Sequence, residues 1–277
     1  MNMIHKRLIG LITDFGLRGW HYVTAMKAVI IGINPKARII DIHHHITPYS
    51  IIEASFIIKT VYKLFPHNSI FVIVVDPGVG SSRKIIALKT KSNHYFIGPD
   101  NGIFWVAFDK NEIKECVAVQ NDEFYHKPVS NTFHGRDIMA PIGAYLSKGI
   151  SLFEFGKEFE PKNLITYPIT YEVFTNNKTI ICTIQYIDNF GNVVTNIPIN
   201  NNKIEGTKLK LNKNSLMTLI IDENEYQGNF QFQYKNTTLN QLIFIKGSSN
   251  YLEISMNQES AAKKFNLHTG DTVKIKL

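Results

Sequence analysis

Six consecutive apolar residues, Ile70-Phe71-Val72-Ile73-Val74-Val75, run without a charge into Asp76-Pro77-Gly78. This run constrains the fold more than any other feature of the chain. β-Branched side chains favour extended backbone. A run with no polar face must be covered on both sides, which predicts a central strand of a sheet flanked by helices. Asp-Pro-Gly ends the strand. An aspartate at the carboxyl end of such a strand lies where open α/β sheets take their ligands.

The rest of the first half fits that reading. Arg7 to Thr13, Ala37 to Ile42, Ser69 to Val75, Lys84 to Thr90 and His94 to Gly98 read as strands. Trp20 to Ile33 reads as a helix stopped by Asn34-Pro35. Ser50 with Glu53 three residues on is a capping-box signature for a helix that runs to about Leu64. Asp137 to Leu146 is a further helix, with Pro141 in its early part. Strand–helix alternation predicts an α/β fold, a mainly parallel sheet flanked by helices.

The texture changes where Pro161, Asn163 and Pro168 mark a linker. Beyond it come short β-rich runs: Tyr171 to Thr175, Thr179 to Ile187, Lys208 to Leu211, Leu216 to Ile221, Leu242 to Ile245, Tyr251 to Ser255 and Thr272 to Ile275. Turn residues at short intervals predict a small antiparallel barrel or sandwich. The expected division is an N-terminal α/β domain over residues 1–160 and a C-terminal β-barrel-like domain over 161–277.

Composition excludes several classes. No stretch approaches the roughly 20 apolar residues of a membrane span, and Leu8 to Ile12 meets Asp14 too soon for a signal peptide. Cys116 and Cys182 are the only cysteines of the 277 residues, so no disulfide framework is expected and a reducing cytoplasm fits. The net charge of +7 comes from scattered Lys and Arg, with no basic run and no interleaved aromatics. It reads as solubility rather than nucleic-acid binding.

Two loops carry titratable groups: Asp76-Pro77-Gly78-Val79-Gly80-Ser81-Ser82-Arg83, and Asn131-Thr132-Phe133-His134-Gly135-Arg136-Asp137. Meeting in one pocket, Asp76, Arg83 and His134 would supply an anion, a cation and an imidazole, enough to orient a water for attack. Taken singly, each has a plain structural alternative: a turn, a surface charge, a hydrogen-bonded histidine.

Further motifs accompany them. They are Leu11-Ile12-Thr13-Asp14-Phe15-Gly16, Tyr22-Val23-Thr24-Ala25-Met26-Lys27, Asp41-Ile42-His43-His44-His45-Ile46-Thr47-Pro48, Gly98-Pro99-Asp100-Asn101-Gly102, and Ile187-Asp188-Asn189-Phe190-Gly191-Asn192. In this order, from about Leu8 to the C-terminus, the set resembles the S-adenosyl-L-methionine (SAM) hydrolase family. These are the SAM hydroxide adenosyltransferases, related to SAM-dependent fluorinases and chlorinases.

The resemblance implies hydrolysis of SAM to adenosine and L-methionine, by attack of water on the ribose C5′. The sulfonium leaves as a neutral thioether and needs no acid; what the reaction needs is an oriented, activated water in line with the C–S bond. The implied cluster falls on Asp76, Arg83 and His134. One division of labour has Arg83 stabilising developing hydroxide while Asp76 and His134 accept hydrogen bonds from it. In the halogenases an aromatic residue stands in place of Asp76, a Ser in place of Gly135 and a Tyr in place of His134. Halogenation is thus the disfavoured alternative.

The same resemblance places Asp14 on the ribose diol, where a carboxylate can accept from both hydroxyls. It places Tyr49 beside the nucleoside, Asp188 on the methionine ammonium, Phe190 and Asn192 near the adenine, Ser248 and Ser249 on the methionine carboxylate, and Asn257 beside the base. A second aspartate expected after Thr13-Asp14-Phe15-Gly16 is replaced by Leu17-Arg18-Gly19-Trp20-His21. That departure keeps open a non-catalytic adenosine- or SAM-binding protein. Asp41, His43 and His45 alternate as zinc ligands on a strand would, but the resemblance implies no metal and no cofactor beyond the substrate. It also implies a homotrimer with active sites at subunit interfaces.

Overall fold

The computed structural model describes residues 7–277. Contacts divide the chain into two units, Met1–Tyr167 and Pro168–Leu277. The stretch after Pro161 packs with the first unit: Leu164 is buried in its core, and Ile165 N–H donates to Asp100 Oδ1 at 2.9 Å.

The first unit runs β1 (Leu8–Thr13), α1 (Trp20–Ile33), β2 (Arg38–His43), α2 (Ile51–Val61), β3 (Ile70–Val74), β4 (Ile85–Thr90), β5 (Tyr95–Pro99), α3 (Ile103–Ala107), β6 (Ile113–Val119), α4 (Ala140–Ser147) and β7 (Gly156–Glu158). Its seven strands lie in the order β2-β1-β3-β5-β4-β6-β7. The β2-β1-β3-β5 half is parallel. The remaining pairings are antiparallel. The all-apolar β3 is buried along its length, as a run without a polar face requires.

Its alternate side chains enter two cores. Ile70, Val72 and Val74 join Ile9, Leu11 and the inner faces of α1 and α4. Phe71, Ile73 and Val75 join Ile12, α2 and α3 on the other face. Removing one such side chain from water contributes about 1.5–3 kcal/mol. α2 begins where expected: Ser50 Oγ accepts from Glu53 N–H at 3.3 Å. The Glu53 carboxylate reaches past Ser50, however, to Thr47 N–H at 3.2 Å.

Strand order reverses about β1. The chain passes from β1 to β2 on one side, then to β3 on the other. Thr13 and Val74 pair at the carboxyl ends of β1 and β3. The loops starting at Asp14 and Asp76 therefore leave the sheet side by side, at the switch point where such sheets bind ligands.

The second unit contains β8 (Tyr171–Phe174), β9 (Thr179–Ile187), β10 (Val193–Asn200), β11 (Lys203–Ile204), β12 (Leu216–Ile221), β13 (Asn224–Gln231), β14 (Leu242–Lys246), β15 (Tyr251–Met256), the short α5 (Ala261–Lys264) and β16 (Thr272–Lys276). The sheet order β10-β15-β14-β13-β12-β16-β9 is closed by pairing of β9 with β10. The result is a seven-stranded barrel around Ile180, Ile184, Leu219, Phe230, Phe244, Leu252 and Ile254, with β8 and β11 as extensions. It is mixed rather than wholly antiparallel, because β13 and β14 run parallel.

Lys208 to Leu211, expected as a strand, makes only a single bridge, Lys210 to Lys203. Five strands have no counterpart among those expected from the sequence: β6, β7, β10, β11 and β13. β13 opens with four exposed residues, Asn224 to Gln227, and offers no apolar alternation to find.

Candidate active site

In the first unit a cavity of about 330 Å³ opens at the carboxyl ends of β1 and β3. Asp14, Tyr49, Asp76, Phe133, His134 and Gly135 are among the residues lining it. Four of the residues expected from the sequence thus share one wall-to-wall space.

Asp76 and Arg83 form a two-pronged ion pair. Arg83 Nε donates to Asp76 Oδ1 at 2.9 Å and Nη2 pairs with Oδ2. The two side chains are 5% and 8% exposed, so the pairing is fixed with little competition from solvent. Nη2 also donates to His134 Nδ1 at 2.9 Å. A guanidinium can only donate, so Nδ1 is the acceptor and the neutral ring carries its proton on Nε2. Burial and the adjacent Arg83 charge hold the His134 imidazole below its ordinary value. This geometry alters the expected division of labour. The Nδ1 lone pair of His134 is spent on Arg83, so toward a water the neutral ring is a donor and not an acceptor.

The local sequence explains why the groups meet. Gly80 has φ +79°, and a Cβ there would lie 2.5 Å from Asn131 O. Only glycine lets the Asp76 loop touch the His134 loop this closely. His134 precedes a π-helical turn, Gly135–Met139, that leads into α4. The wide turn sets Gly135 against β3, where a Cβ would meet Val74 Cγ1 at 2.8 Å. Asp137 is fully buried in that turn. It accepts from Ser130 N–H at 2.8 Å and from Arg136 Nε at 2.6 Å, tying the preceding loop down. Pro99-Asp100-Asn101-Gly102 supports the site from behind: Asn101 Nδ2 donates at 2.9 Å to the carbonyl of Val75, the residue before Asp76.

Asp14 Oδ2 accepts from Tyr49 N–H at 2.9 Å. Burial raises the Asp14 carboxyl above its ordinary value and nearby Asp76 adds to the rise, while the Tyr49 amide opposes it. Tyr49 has φ +69° and is 68% exposed. A bulky residue in the left-handed region is strained, and the Asp14 hydrogen bond holds it there.

In the second unit, a cavity of about 440 Å³ is lined by Phe190, Asn192, Tyr234 and Asn257 among others. Asp188 organises the β9–β10 turn beneath it. Its Oδ1 accepts from Phe190 N–H and Asn192 N–H, both at 2.9 Å, and its Oδ2 accepts from Asn192 Nδ2 at 2.8 Å. Phe190 is 80% exposed. Asn257 Nδ2 donates to Thr237 O at 2.8 Å. Ser248 and Ser249 lie outside this cavity, in the β14–β15 hairpin closed by Gly247 N–H to Tyr251 O at 2.9 Å. No motif marks Glu253 in the sequence; its carboxylate packs on Gly247. Burial, with the charge of Asp188, pushes Glu253 up to about 7.

The triple histidine has no metal-binding arrangement: among the described residues no group of three or more His, Cys, Asp or Glu is placed to hold an ion. Asp41 instead pairs with His44 at 3.0 Å and with Lys27 at 2.6 Å. Among the described residues no helix is long and apolar enough to cross a membrane.

Residues 9–156 match the SAM hydroxide adenosyltransferase N-terminal domain, and residues 182–274 match the C-terminal domain of the same family. The chain belongs to the SAM hydroxide adenosyltransferase family. It is 34% identical over 275 residues to the (R)-S-adenosyl-L-methionine hydrolase of Methanocaldococcus jannaschii, covering 97% of this chain and 95% of that protein. A fluorinase of Nocardia brasiliensis is 21% identical over 306 residues, covering 98% and 97%. A crystal structure of an uncharacterized conserved protein from Thermotoga maritima superposes with a TM-score of 0.88 at 34% identity, covering 98% of this chain and all of that one.

Proposed function

We propose that the protein hydrolyses S-adenosyl-L-methionine to adenosine and L-methionine, with the (R)-sulfonium epimer named for its archaeal relative as substrate. The observation that carries this reading is the hydrogen-bonded Asp76–Arg83–His134 set on a cavity that also holds Asp14.

The chemistry follows from these groups. Water oxygen forms a bond to C5′ as the C5′–S bond breaks, and the bonding pair leaves on sulfur as a neutral thioether. The attacking water must shed a proton. Asp76 is the anionic acceptor beside it; Arg83 holds that carboxylate in place and limits the build-up of negative charge. His134, donating from Nε2, fixes the water oxygen in line with the C–S bond. Asp14 accepts from the ribose hydroxyls with the lone pairs its Tyr49 bond leaves free. In the second unit, Asn192 and Phe190 suit a base edge and face, Asn257 lies beside them, and Asp188 carries a negative charge suited to the methionine ammonium. The Ser248 and Ser249 hydroxyls suit its carboxylate.

Incubation with (R)-SAM in H₂¹⁸O tests the reading. The expected products are methionine and adenosine labelled at the 5′ oxygen. Intact SAM recovered after incubation would favour a binding protein, and 5′-halo-5′-deoxyadenosine formed in halide would move the chain to the halogenase side. The carboxylate of Asp76 and the absence of a side chain at Gly135 speak against the latter.

The family resemblance supports a cytoplasmic homotrimer in which residues of the first unit complete those of the second unit of a neighbouring subunit. Two free, buried cysteines suit a reducing compartment. Mixing Asp76→Ala with Asn192→Ala subunits should restore part of the activity if sites are shared between chains. A mixture as inactive as its parents would end that proposal.

A further inference from the structure

The loop that carries Asp14 is held by a one-directional hydrogen-bond chain that runs through a buried histidine to Asp41. Phe15 N–H donates to Thr13 Oγ1 at 3.4 Å. Thr13 Oγ1 lies 2.9 Å from His44 Nδ1, and His44 Nε2 lies 3.0 Å from Asp41 Oδ1. Lys27 Nζ holds the other oxygen of Asp41 at 2.6 Å. The backbone adds a clamp, Gly16 N–H to His44 O at 2.7 Å.

The proton positions follow from donor and acceptor counts. A backbone amide can only donate, so Thr13 Oγ1 accepts from Phe15. An ionised Asp41 can only accept, so His44 Nε2 carries a proton. A neutral ring then has its lone pair on Nδ1 and takes the Thr13 hydroxyl proton. His44 is 3% exposed and packs edge-on against Trp20, the ring centroids 5.3 Å apart. Burial keeps its imidazole below the ordinary value, with Asp41 opposing. Burial of Asp41 is in turn outweighed by its bonds to Lys27 and His44, which keep its carboxyl low.

We infer that His44 is a positioning residue for the ribose site: through Thr13 it sets the Thr13–Gly16 loop, and so aims the Asp14 carboxylate at the substrate diol. Neither His44 nor Thr13 lines the cavity; both act through Asp14. The inference rests on the reading that Asp14 binds the ribose hydroxyls.

The test compares the dissociation constants of adenosine and 2′-deoxyadenosine, measured by calorimetry on the full-length protein. Wild type should favour adenosine by roughly 10-fold or more, the loss expected when a hydrogen bond to a charged group is removed. Thr13→Val keeps the shape and removes the hydroxyl. It should weaken adenosine about 10-fold and leave 2′-deoxyadenosine nearly unchanged, so that the preference collapses, with the kinetic loss in KM rather than kcat. Thr13→Ser should restore the preference. If Thr13→Val fails to fold, Asp41→Ala decides, because its side chain lies at the surface and its removal frees the His44 tautomer; the preference should fall about threefold, in the range of one neutral bond.

A folded Thr13→Val that keeps the wild-type preference, or that weakens both nucleosides equally, overturns the inference. So does an Asp41→Ala protein with an unchanged preference. A wild-type preference near one is a different result: it removes Asp14 from the ribose, and the inference falls with that assignment.

Discussion

Two aspartates follow strands in this molecule and do opposite things with their charge. Asp76, after β3, is matched by the guanidinium of Arg83 in a buried two-pronged pair. Asp188, after β9, is held by two backbone amides and the Asn192 amide. The first arrangement is close to neutral overall and offers a fixed dipole to a water molecule. The second has no cationic side chain among its hydrogen-bond partners, which suits a cationic group on the substrate. On the proposed reading these similar positions divide the work: the first unit orients the nucleophile and holds the ribose, and the second meets the base and the methionine ammonium.

The largest effects should come from breaking the Asp76–Arg83 pair. Arg83→Ala and Asp76→Ala are each expected to lower turnover about 100-fold or more. Each also strands a buried charge and should cost roughly 3–5 kcal/mol of stability, read by denaturant unfolding. Asp188→Ala removes only bonds to neutral donors. Its expected effect is a rise of about 10-fold in KM for SAM, as for loss of a charged hydrogen-bond partner, with turnover at saturation little changed. Equal losses of kcat in both units would erase the division of labour.

The two units should also answer differently to pH. In the first, protonating His134 takes the Nδ1 lone pair from Arg83 and sets two cations side by side. Because its folded value is lowered, kcat/KM should hold at and above pH 6.5 and fall as pH drops through a midpoint below that. In the second, Glu253 titrates at about 7 beside Asp188. A bound cation favours its ionised form, so KM for SAM should fall as pH rises through about 7. Glu253→Gln should remove that dependence, and the affinity for uncharged adenosine should not show it. A wild-type KM that is flat across pH 6–8 would separate Glu253 from the substrate cation.

What was legible in the sequence divides along a related line. Asp14, Asp76 and the Asp188 turn follow apolar runs, and a residue at a strand end has its position set by the strand. β3 was readable because burial on both faces leaves a continuous signature, whereas β10 contains Pro198 and starts directly after the Asn192 turn, and β6 carries Lys114 and Glu115. His44 was not separable from His43 and His45, because which imidazole turns inward depends on where β2 ends and on its irregular register against β1 between Leu11 and Ile12. The tautomer of His134 was equally hidden: it follows from which ring nitrogen meets Arg83, a distance that exists only after folding. Glu253 sits between Leu252 and Ile254 in a strand, and its raised value comes from burial and from Asp188, more than sixty residues away in sequence.

The smallest expected effect belongs to Phe190, and it tests the recognition side of the comparison most directly. The residue is 80% exposed and takes no part in the barrel core, so folding provides no reason for a large aromatic at the tip of the β9–β10 turn. The turn is held by Asp188 through the Phe190 amide rather than its ring. Phe190→Ala should therefore leave stability within about 0.5 kcal/mol of wild type. A ring that meets a base face contributes about 0.5–1.5 kcal/mol beyond its area, so adenosine should bind about 3- to 10-fold more weakly, with kcat little changed. Phe190→Leu should recover only part of the loss, because it restores apolar area but not the π face. Unchanged adenosine affinity, together with a shift in oligomeric state by light scattering, would assign the ring to a subunit contact and leave Asn192 and Asn257 to recognise the base without it.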